Sequence, residues 1–287
     1  MLKLIYLLLK DVLVYVFSLG SHKYRHIVKG TKERNPVISS KVLVCVHEWG
    51  GYSLKRKKKL KNGKSFNCGL YYQILRYSKY RNDSLVDLTV TMSDTSLCKD
   101  LDWVQANVDH FISVDNTAMD FSGYSYFFES IKNKANSYVI ISNSSVDDYI
   151  SDFLSGYIDY MDKNMDVGAL GISYSTKMYQ SFIKDNFNPH IQSFFILTTI
   201  EVINQIVELN NCTFPGHNSN DKRLLIREGE IGISKLVLQL GYNLAVVNPI
   251  DAIPFKFTDL SDWKHTLGDV RLYVAHPNRI NKIVISD

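Results

Sequence analysis

Polar residues with chemical uses stand directly after the apolar β-branched runs of this chain. His47 closes the run Lys41-Val-Leu-Val-Cys-Val-His47, and Thr91, Ser93 and Asp94 end the run that begins at Leu85. Asp115, Asn116 and Asp120 follow Phe111-Ile-Ser-Val114, and Asn143, Ser144 and Ser145 follow Ser137-Tyr-Val-Ile-Ile-Ser142. In an open α/β sheet ligands lie outside the carboxyl ends of the strands, which is where such residues would gather. Taken singly each has a plainer reading, since Asp120 and Ser122 would serve as caps for a helix over 124–132. Together they point to one polar edge that binds a ligand.

A second group lies further along. His190, Gln192 and Ser193 precede the apolar run 194–198, so alternate side chains there would reach a cleft and hydrogen-bond a sugar or an acceptor; a histidine packed at a strand edge fits equally. His276, in Ala275-His276-Pro277, reads as a surface turn residue. Trp49, Tyr52, Tyr71 and Tyr72 offer faces on which a sugar would stack, although aromatics at such spacing more often fill a core.

Several chemistries are excluded by absence. The chain holds no G-x-G-x-x-G, no G-x-x-x-x-G-K-[S/T], no G-x-S-x-G and no H-E-x-x-H, which removes the motif-bearing dinucleotide oxidoreductases, P-loop NTPases, serine hydrolases and zincins. Cys45, Cys68, Cys98 and Cys212 form no C-x-x-C pair, so neither a zinc site nor a disulfide framework is expected, and a reducing compartment fits. The sequons at Asn82, Asn143 and Asn211 read as chance matches. A net charge of +4 is too small for a nucleic-acid binder, so no nucleic acid is expected as a partner. The excess is local: Lys55, Arg56, Lys57, Lys58, Lys59, Lys61 and Lys64 crowd one segment, read as a solvated loop able to attract a phosphorylated ligand or anionic lipid.

The elements that must position these residues follow from periodicity. The 287 residues, 45% hydrophobic, support one large α/β domain without staples. Strands are expected at 41–47, 85–92, 111–114, 137–142, 167–172, 194–198 and 243–247. Helices are expected over 69–80, 124–132, 148–162, 199–209 and 229–240, with a polar loop at 210–223. Alternating strands and helices give a mostly parallel sheet flanked by helices. That domain spans 41–287, behind an N-terminal unit of residues 1–40.

In that unit, Lys10 and Asp11 interrupt the apolar start, leaving no run of the roughly 20 residues a bilayer span needs. Ser18-Leu19-Gly20 is a poor signal-cleavage site. On a helical wheel Leu2, Ile5, Tyr6, Leu9, Leu13, Val16 and Phe17 share one face, with Lys23, Arg25 and Lys29 following. Two readings are equal here: an amphipathic helix lying in a membrane plane, and a helix packing on the core.

The order of short motifs resembles a known family. Asp115-Asn-Thr-Ala-Met-Asp120-Phe-Ser-Gly-Tyr124, then Tyr138-Val-Ile-Ile-Ser-Asn143-Ser-Ser-Val146, then His190-Ile-Gln-Ser-Phe-Phe195 and Glu230-Ile-Gly-Ile-Ser234, is similar to bacterial polysaccharide glycosyltransferases of the rhamnan-synthesis type. The resemblance covers roughly residues 41–248. It implies a GT-A-like fold and transfer of a sugar from a nucleotide-sugar donor to a polysaccharide or lipid-linked oligosaccharide acceptor. Carried over by position, it places His47, Ser93, Asp115, Asn116, Asp120, Asn143 and Ser145 around the donor nucleotide, and His190, Gln192 and Ser193 at the acceptor or sugar.

The resemblance also puts the general base of an inverting transfer at Glu230. At the start of a helix, Glu230 equally suits the helix dipole. The position where many such enzymes carry an Asp-x-Asp metal motif holds Asn143-Ser-Ser145. No metal ligand set is therefore expected, and Mg²⁺ or Mn²⁺ stays open only if a sharp turn brings in Asp147 and Asp148. Diphosphate charge would then fall to backbone amides and a basic side chain, Arg227 or one of the 55–64 segment. The implied location is cytoplasmic, at the inner face of the membrane. Two alternatives stay open: a noncatalytic membrane-associated partner that keeps the fold, and a sugar-phosphate transferase.

Overall fold

The computed structural model describes residues 2–17, 29–60, 63–183, 186–258 and 268–284. Lys23, Arg25, Lys61 and the segment Ser18–Gly20 lie outside them. An N-terminal helix α1 (Leu2–Phe17) precedes the first strand, β1 (Val42–Trp49). Then come β2 (Arg56–Lys59), β3 (Ser65–Cys68), α2 (Leu70–Asn82), β4 (Val86–Ser93), α3 (Leu101–Ala106), β5 (His110–Val114), α4 (Asp120–Ile131) and β6 (Tyr138–Asn143). The second half runs through α5 (Leu154–Lys163), β7 (Val167–Gly171), β8 (Tyr174–Lys177), β9 (Phe187–Ile191), β10 (Phe195–Thr199) and α6 (Ile200–Leu209). A short α7 (Lys222–Leu224) passes through a π-helical segment (Leu225–Glu230) into α8 (Ile231–Gln239), followed by β11 (Asn243–Val247) and β12 (Pro254–Lys256).

Eight strands form one sheet in the order β12-β11-β7-β10-β6-β1-β4-β5. The β1–β4, β1–β6, β4–β5 and β7–β11 pairs are parallel, whereas β10 runs antiparallel to both β6 and β7, and β12 antiparallel to β11. The fold is thus α/β, a Rossmann-type, mostly parallel sheet flanked by helices, as the strand and helix alternation implies. Its strands are continuous apolar runs because both faces are covered. Leu43 and Cys45 of β1 join the layer under α4, α6 and α8, with Phe121, Phe127, Ile203 and Val237. Val42, Val44 and Val46 face the other layer, under α2 and α5, with Ile74, Tyr77, Leu154 and Tyr157.

The reversal of β10 decides which residues reach the carboxyl edge of the sheet. Six strands end at one edge, and because β10 points the other way its amino end lies there too, with Phe195 paired to Ser142. Residues 190–193, which precede β10, are thereby delivered to the edge where β1, β4 and β6 finish.

Several elements depart from the sequence expectations. Among the described residues of the basic segment, Arg56–Lys59 is not a solvated loop: it pairs antiparallel with Ser65–Cys68 as a hairpin. The ladder alternates, so Arg56 and Lys58 are half-buried while Lys57 and Lys59 are exposed. The helix expected from 124 begins at Asp120, with Ser122 and Gly123 buried inside it. The helix expected from 148 begins at Leu154, because buried Arg76 holds the Asp147 and Tyr149 carbonyls at 2.5 and 2.8 Å and keeps that stretch extended. A β8–β9 hairpin and α3 lie where no element was expected.

Residues 29–41 are strapped to the domain rather than hanging from it. Arg34, 3% exposed, donates to the Val167 carbonyl (2.7 Å) and the Met161 carbonyl (2.6 Å), and the Gly30 amide donates to Asn243 Oδ1 (2.7 Å). Helix α1 is tied to the π-helical segment: Arg227 Nη1 and Nη2 meet Asp11 Oδ2 and Oδ1 at 2.8 and 3.0 Å, and Lys3 meets Glu228 at 2.6 Å. Among the described residues no helix is long and apolar enough to cross a membrane.

Candidate functional site

The carboxyl edge is built from loops that bind one another. Glu48, 2% exposed near the end of β1, accepts Arg56 Nη1 at 2.6 Å, and Arg56 Nη2 reaches Ser144 Oγ, also at 2.6 Å. The Ser144 amide donates to the His47 carbonyl (3.1 Å) and its carbonyl accepts from the Gly69 amide (2.9 Å). One arginine therefore clamps the basic hairpin over the turn that follows β6. Burial raises the Glu48 pKa, and the Arg56 guanidinium partly offsets that rise.

At the other end, Asp94 sits in a left-handed conformation (φ 50°) and its Oδ2 accepts from Trp49 Nε1 at 2.6 Å and from Asn116 Nδ2 at 2.8 Å. Asp94 so links the ends of β1, β4 and β5. Asp115 accepts the Thr117 amide (2.8 Å) and the Ser122 hydroxyl (3.1 Å), and its bonds to Thr117 hold its carboxyl down at about 2. Met119, at φ 51°, turns the chain into α4, so that Asp120 opens the helix with Oδ2 accepting from Asn143 Nδ2 at 2.6 Å. Asn143 Oδ1 in turn accepts from the Ser145 amide at 2.9 Å.

His47 and Ser93 lie deeper. The His47 ring, 2% exposed, shares a 3.1 Å hydrogen bond with Thr91 Oγ1, and α4 crosses directly above it. A Cβ at Gly123 would fall 2.2 Å from His47 Nδ1, so the helix approaches this closely only with glycine there. Burial lowers the His47 pKa, against the pull of Asp120. Ser93 is fully buried and its Oγ has no hydrogen-bond partner, although its carbonyl accepts from the Gly50 amide at 2.8 Å. Both residues form the floor of the edge, under the layer that carries Asp94, Asp120 and Asn143.

Glu230 lies in the π-helical segment rather than in the first turn of α8. Gly229 lets that segment press onto α4, since a Cβ there would lie 2.4 Å from Phe121 Cζ. Glu230 Oε2 accepts both the Ser193 amide and the Ser193 hydroxyl at 2.9 Å, while Oε1 faces His190 Nε2 at 3.7 Å. His190 Nδ1 is engaged with the Asn188 carbonyl at 2.7 Å. Burial opposes the charge on Glu230, but His190 and the Ser193 amide outweigh it and bring the pKa down to about 2. The side chain is 17% exposed. Tyr124 OH donates to the Ser193 carbonyl at 3.0 Å, joining α4 to the same loop. Gln192 turns away, its Oε1 accepting from buried Ser173 at 3.0 Å.

Two cations lie within electrostatic range of these carboxylates, Lys58 of Asp120 and Arg271 of Glu230. Lys58 points inward from β2, and burial lowers its pKa; Arg271, Asp120 and Arg56 all lie within its electrostatic reach. Arg271 is bound to Asp269 at 2.9 and 3.0 Å and, despite its partial burial, is held protonated by Asp269 and, further off, by Glu230. Neither was singled out in the sequence reading. Lys58 was hidden within a lysine run, and the alternation of a hairpin ladder is the signal that separates it from Lys57 and Lys59. Arg227, the alternative cation, is occupied by Asp11 and by the Gln180 carbonyl at 2.6 Å.

The donor set does not fit a hard divalent cation. Asp147 is buried and bound by Arg279 at 2.8 Å, with Arg76 at 4.0 Å, and Asp148 accepts from Asn67 at 2.9 Å. Among the described residues no three His, Cys, Asp or Glu side chains gather as a metal-binding group. The aromatic candidates are also engaged: Tyr71 stacks on Trp103 at 5.3 Å, and Trp49 meets Tyr52 edge-on at 4.8 Å. Beyond β11 a cleft of about 660 Å³ opens, lined by Tyr149, Ile250, Tyr273, His276, Arg279 and Lys282 among others, which places His276 on its wall.

Neither a protein-family model nor a curated protein matches the chain. Among solved structures, it is similar to the bifunctional IspDF from Campylobacter jejuni, with a TM-score of 0.39 and 11% identity over 80% of this chain, and it spans 55% of that protein's length. It is also similar to 4-diphosphocytidyl-2C-methyl-D-erythritol synthase from Anaerococcus prevotii, with a TM-score of 0.35 and 10% identity, covering 67% of this chain and 87% of that one.

Proposed function

We propose that the chain is an inverting glycosyltransferase that moves a sugar from a nucleotide-sugar donor to a polysaccharide or lipid-linked oligosaccharide acceptor. The observation that carries this reading is Glu230, an ionised carboxylate fixed by Ser193 beside His190, at the same strand edge as Asp120, Asn143 and Lys58. In this reading the nucleotide lies along the ends of β1, β4 and β5, over Asp94, Asn116 and Asp120. Its diphosphate meets Lys58 and Arg271, where cations in a partly buried site stabilise the charge of the departing nucleoside diphosphate.

The acceptor hydroxyl approaches Glu230 Oε1, the oxygen that faces His190. A carboxylate with a pKa of about 2 is a weak base for a resting hydroxyl. As the new C–O bond forms, however, the attacking oxygen gains positive charge and its proton becomes strongly acidic, so a permanently ionised carboxylate in reach accepts it late. Glu230 binds and orients the acceptor first and takes the proton second. No metal step is needed in this scheme.

A second reading, a noncatalytic partner that keeps the fold, draws on the saturation of Glu230 Oε2 by two Ser193 donors. A thermal-shift screen against UDP, GDP and dTDP and their sugars separates the two. Stabilisation by one nucleotide, kept in Glu230→Gln while transfer is lost, supports the transferase. No shift with any nucleotide supports the noncatalytic partner. Release of nucleoside monophosphate in place of diphosphate would assign the chain to sugar-phosphate transfer.

A further inference from the structure

The cleft beyond β11 is walled by stretches that the transfer scheme leaves unused. Tyr149 comes from the loop after β6, residues 249–252 follow β11, and residues 273–282 belong to the tail of the chain. Strand β10 is antiparallel to both β6 and β7, and β11 is parallel to β7, so β6 and β11 finish at the same edge. The cleft therefore lies at the carboxyl edge of the sheet, as Asp120 and Asn143 do.

Its walls are tied together. The Asp147 amide donates to the Asn278 carbonyl at 3.0 Å, and Asn278 Nδ2 to the Ser145 carbonyl at 2.8 Å, so the loop after β6 holds the tail. The Val284 amide donates to the Ala252 carbonyl at 3.1 Å, which joins the tail to the loop after β11. Tyr157 OH and Ser151 Oγ fix the Asn281 and Ile280 carbonyls at 3.0 and 2.8 Å. A cleft held by such bonds is formed before any ligand arrives, which lowers the cost of binding. At about 660 Å³ it falls within the roughly 300–1,000 Å³ of small-molecule sites.

Arg279 is held in it on two sides. Its Nε donates to buried Asp147 at 2.8 Å, and its guanidinium lies over the Tyr149 ring, 4.4 Å from the centroid. Among the described residues neither Nη has a hydrogen-bond partner. A planar fork fixed in this way, with its Nη groups unengaged, suits a carboxylate or a phosphate bound through paired hydrogen bonds. Lys282, exposed and lining the same cleft, forms no ion pair among the described residues and adds a second cation. Against these stands one acid, Asp251, whose Oδ1 accepts the Ile253 amide at 3.1 Å. Tyr149 and Tyr273 are 47% and 56% exposed, and they bring two aromatic rings to a cleft that is otherwise lightly apolar. Such rings pair an apolar face with a polar tip, which matches a sugar ring.

The geometry points to a binding site for an anionic saccharide, one bearing a carboxylate or a phosphate, with Arg279 and Lys282 on its charge and the tyrosines on its ring. Tyr273 stands two residues after Arg271, which lies within electrostatic range of Glu230, so the tail links this cleft to the proposed base. That the saccharide is the acceptor rests on the transferase reading; that the cleft binds one does not.

Saturation-transfer NMR on the full chain, with no donor present, tests the site with glucuronic acid, glucose 1-phosphate, glucose and UDP as probes. Transfer is expected to at least one of the two anionic sugars, the stronger naming the anion, and not to glucose. Binding should weaken at high salt. Arg279→Lys, which keeps the charge and loses the fork, is expected to weaken it about tenfold. Lys282→Ala is expected to weaken it about threefold, and, being exposed, this variant carries the test if melts show Arg279→Lys unfolded. No transfer to either anionic sugar, equal transfer to glucose, or wild-type binding in Lys282→Ala and in folded Arg279→Lys would overturn the inference. Displacement of the sugar by UDP would also overturn it, giving the cleft to a nucleotide.

Discussion

Ser193 donates both its amide and its hydroxyl to a single oxygen of Glu230, each at 2.9 Å, and leaves the other oxygen facing His190 at 3.7 Å. The depressed pKa that results has a thermodynamic consequence. Glu230 falls from 4.5 to about 2 on folding, so the folded state is favoured at pH values above about 4.5 and loses that advantage as pH drops toward 2. The shift corresponds to roughly 3 kcal/mol. Urea melts of wild type and Glu230→Gln should differ by an amount of that order at pH 6 and by clearly less at pH 3. A difference independent of pH would contradict the assignment.

Lys58 lies within electrostatic range of Asp120, and Arg271 within that of Glu230. Lys58→Ala and Arg271→Ala are each expected to weaken nucleoside diphosphate binding about tenfold or more, with the effect shrinking at high salt. Lys57→Ala and Lys59→Ala, on the outer side of the same hairpin, should bind like wild type. Calorimetric titration of all four variants checks the asymmetry. Equal losses at every lysine would mean that the hairpin attracts anions only diffusely.

Arg56 neutralises a carboxylate that has almost no contact with solvent. Removing one partner of a buried pair leaves the other charge uncompensated, at a cost of about 3–5 kcal/mol. Arg56→Ala should be destabilised on that scale, and more strongly at pH 8 than at pH 5, because burial raises the Glu48 pKa and lower pH lets the side chain take a proton. Chemical denaturation at the two pH values reads the difference.

Gly123 and His47 are in close contact across the α4–sheet interface. Gly123→Ala should cost about 2 kcal/mol or more by overpacking. Adding His47→Ala should recover only part of that loss, since the Cβ would be relieved of the imidazole but would still meet Thr91 Oγ1 at 2.4 Å. Additive losses in melts of the double variant would show that α4 does not rest on the imidazole.

Asp11 holds α1 to the π-helical segment. Asp11→Asn removes the charge that Arg227 requires, and amide exchange across α1 should accelerate at least about tenfold while core strands keep their protection. Unchanged exchange in α1 would mean that Leu4 and its neighbours hold the helix without the ion pair.

The central strands were legible in the sequence because strands buried on both faces read as unbroken Val, Ile and Leu runs. The polar residues that close β1, β4, β5 and β6 therefore fall on one edge of the sheet. Direction was not legible. The apolar run of β10 looks the same either way round, and only tertiary pairing with Ser142 shows that its amino end, and with it Ser193, lies at that edge. The hairpin that carries Lys58 was obscured by lysines, which are depleted in strands, since their packed stems register only once the ladder forms. Asp147, open as a metal ligand only if a sharp turn brought it in, is engaged by Arg76 and Arg279, which stand far away in sequence. The depth of His47 depended on the start of α4, four residues earlier than its periodicity implied.

The central claim is donor-dependent sugar transfer at Glu230. The most direct measurement is nucleoside diphosphate release from UDP-, GDP- and dTDP-sugars by wild type and Glu230→Gln, with a chelator present and a glycan or lipid-linked acceptor added. The account predicts release by wild type from one donor class, unaffected by the chelator, and at least about a hundredfold less by Glu230→Gln, with nucleotide binding intact. Equal release by both proteins, or no release from any donor, would contradict it.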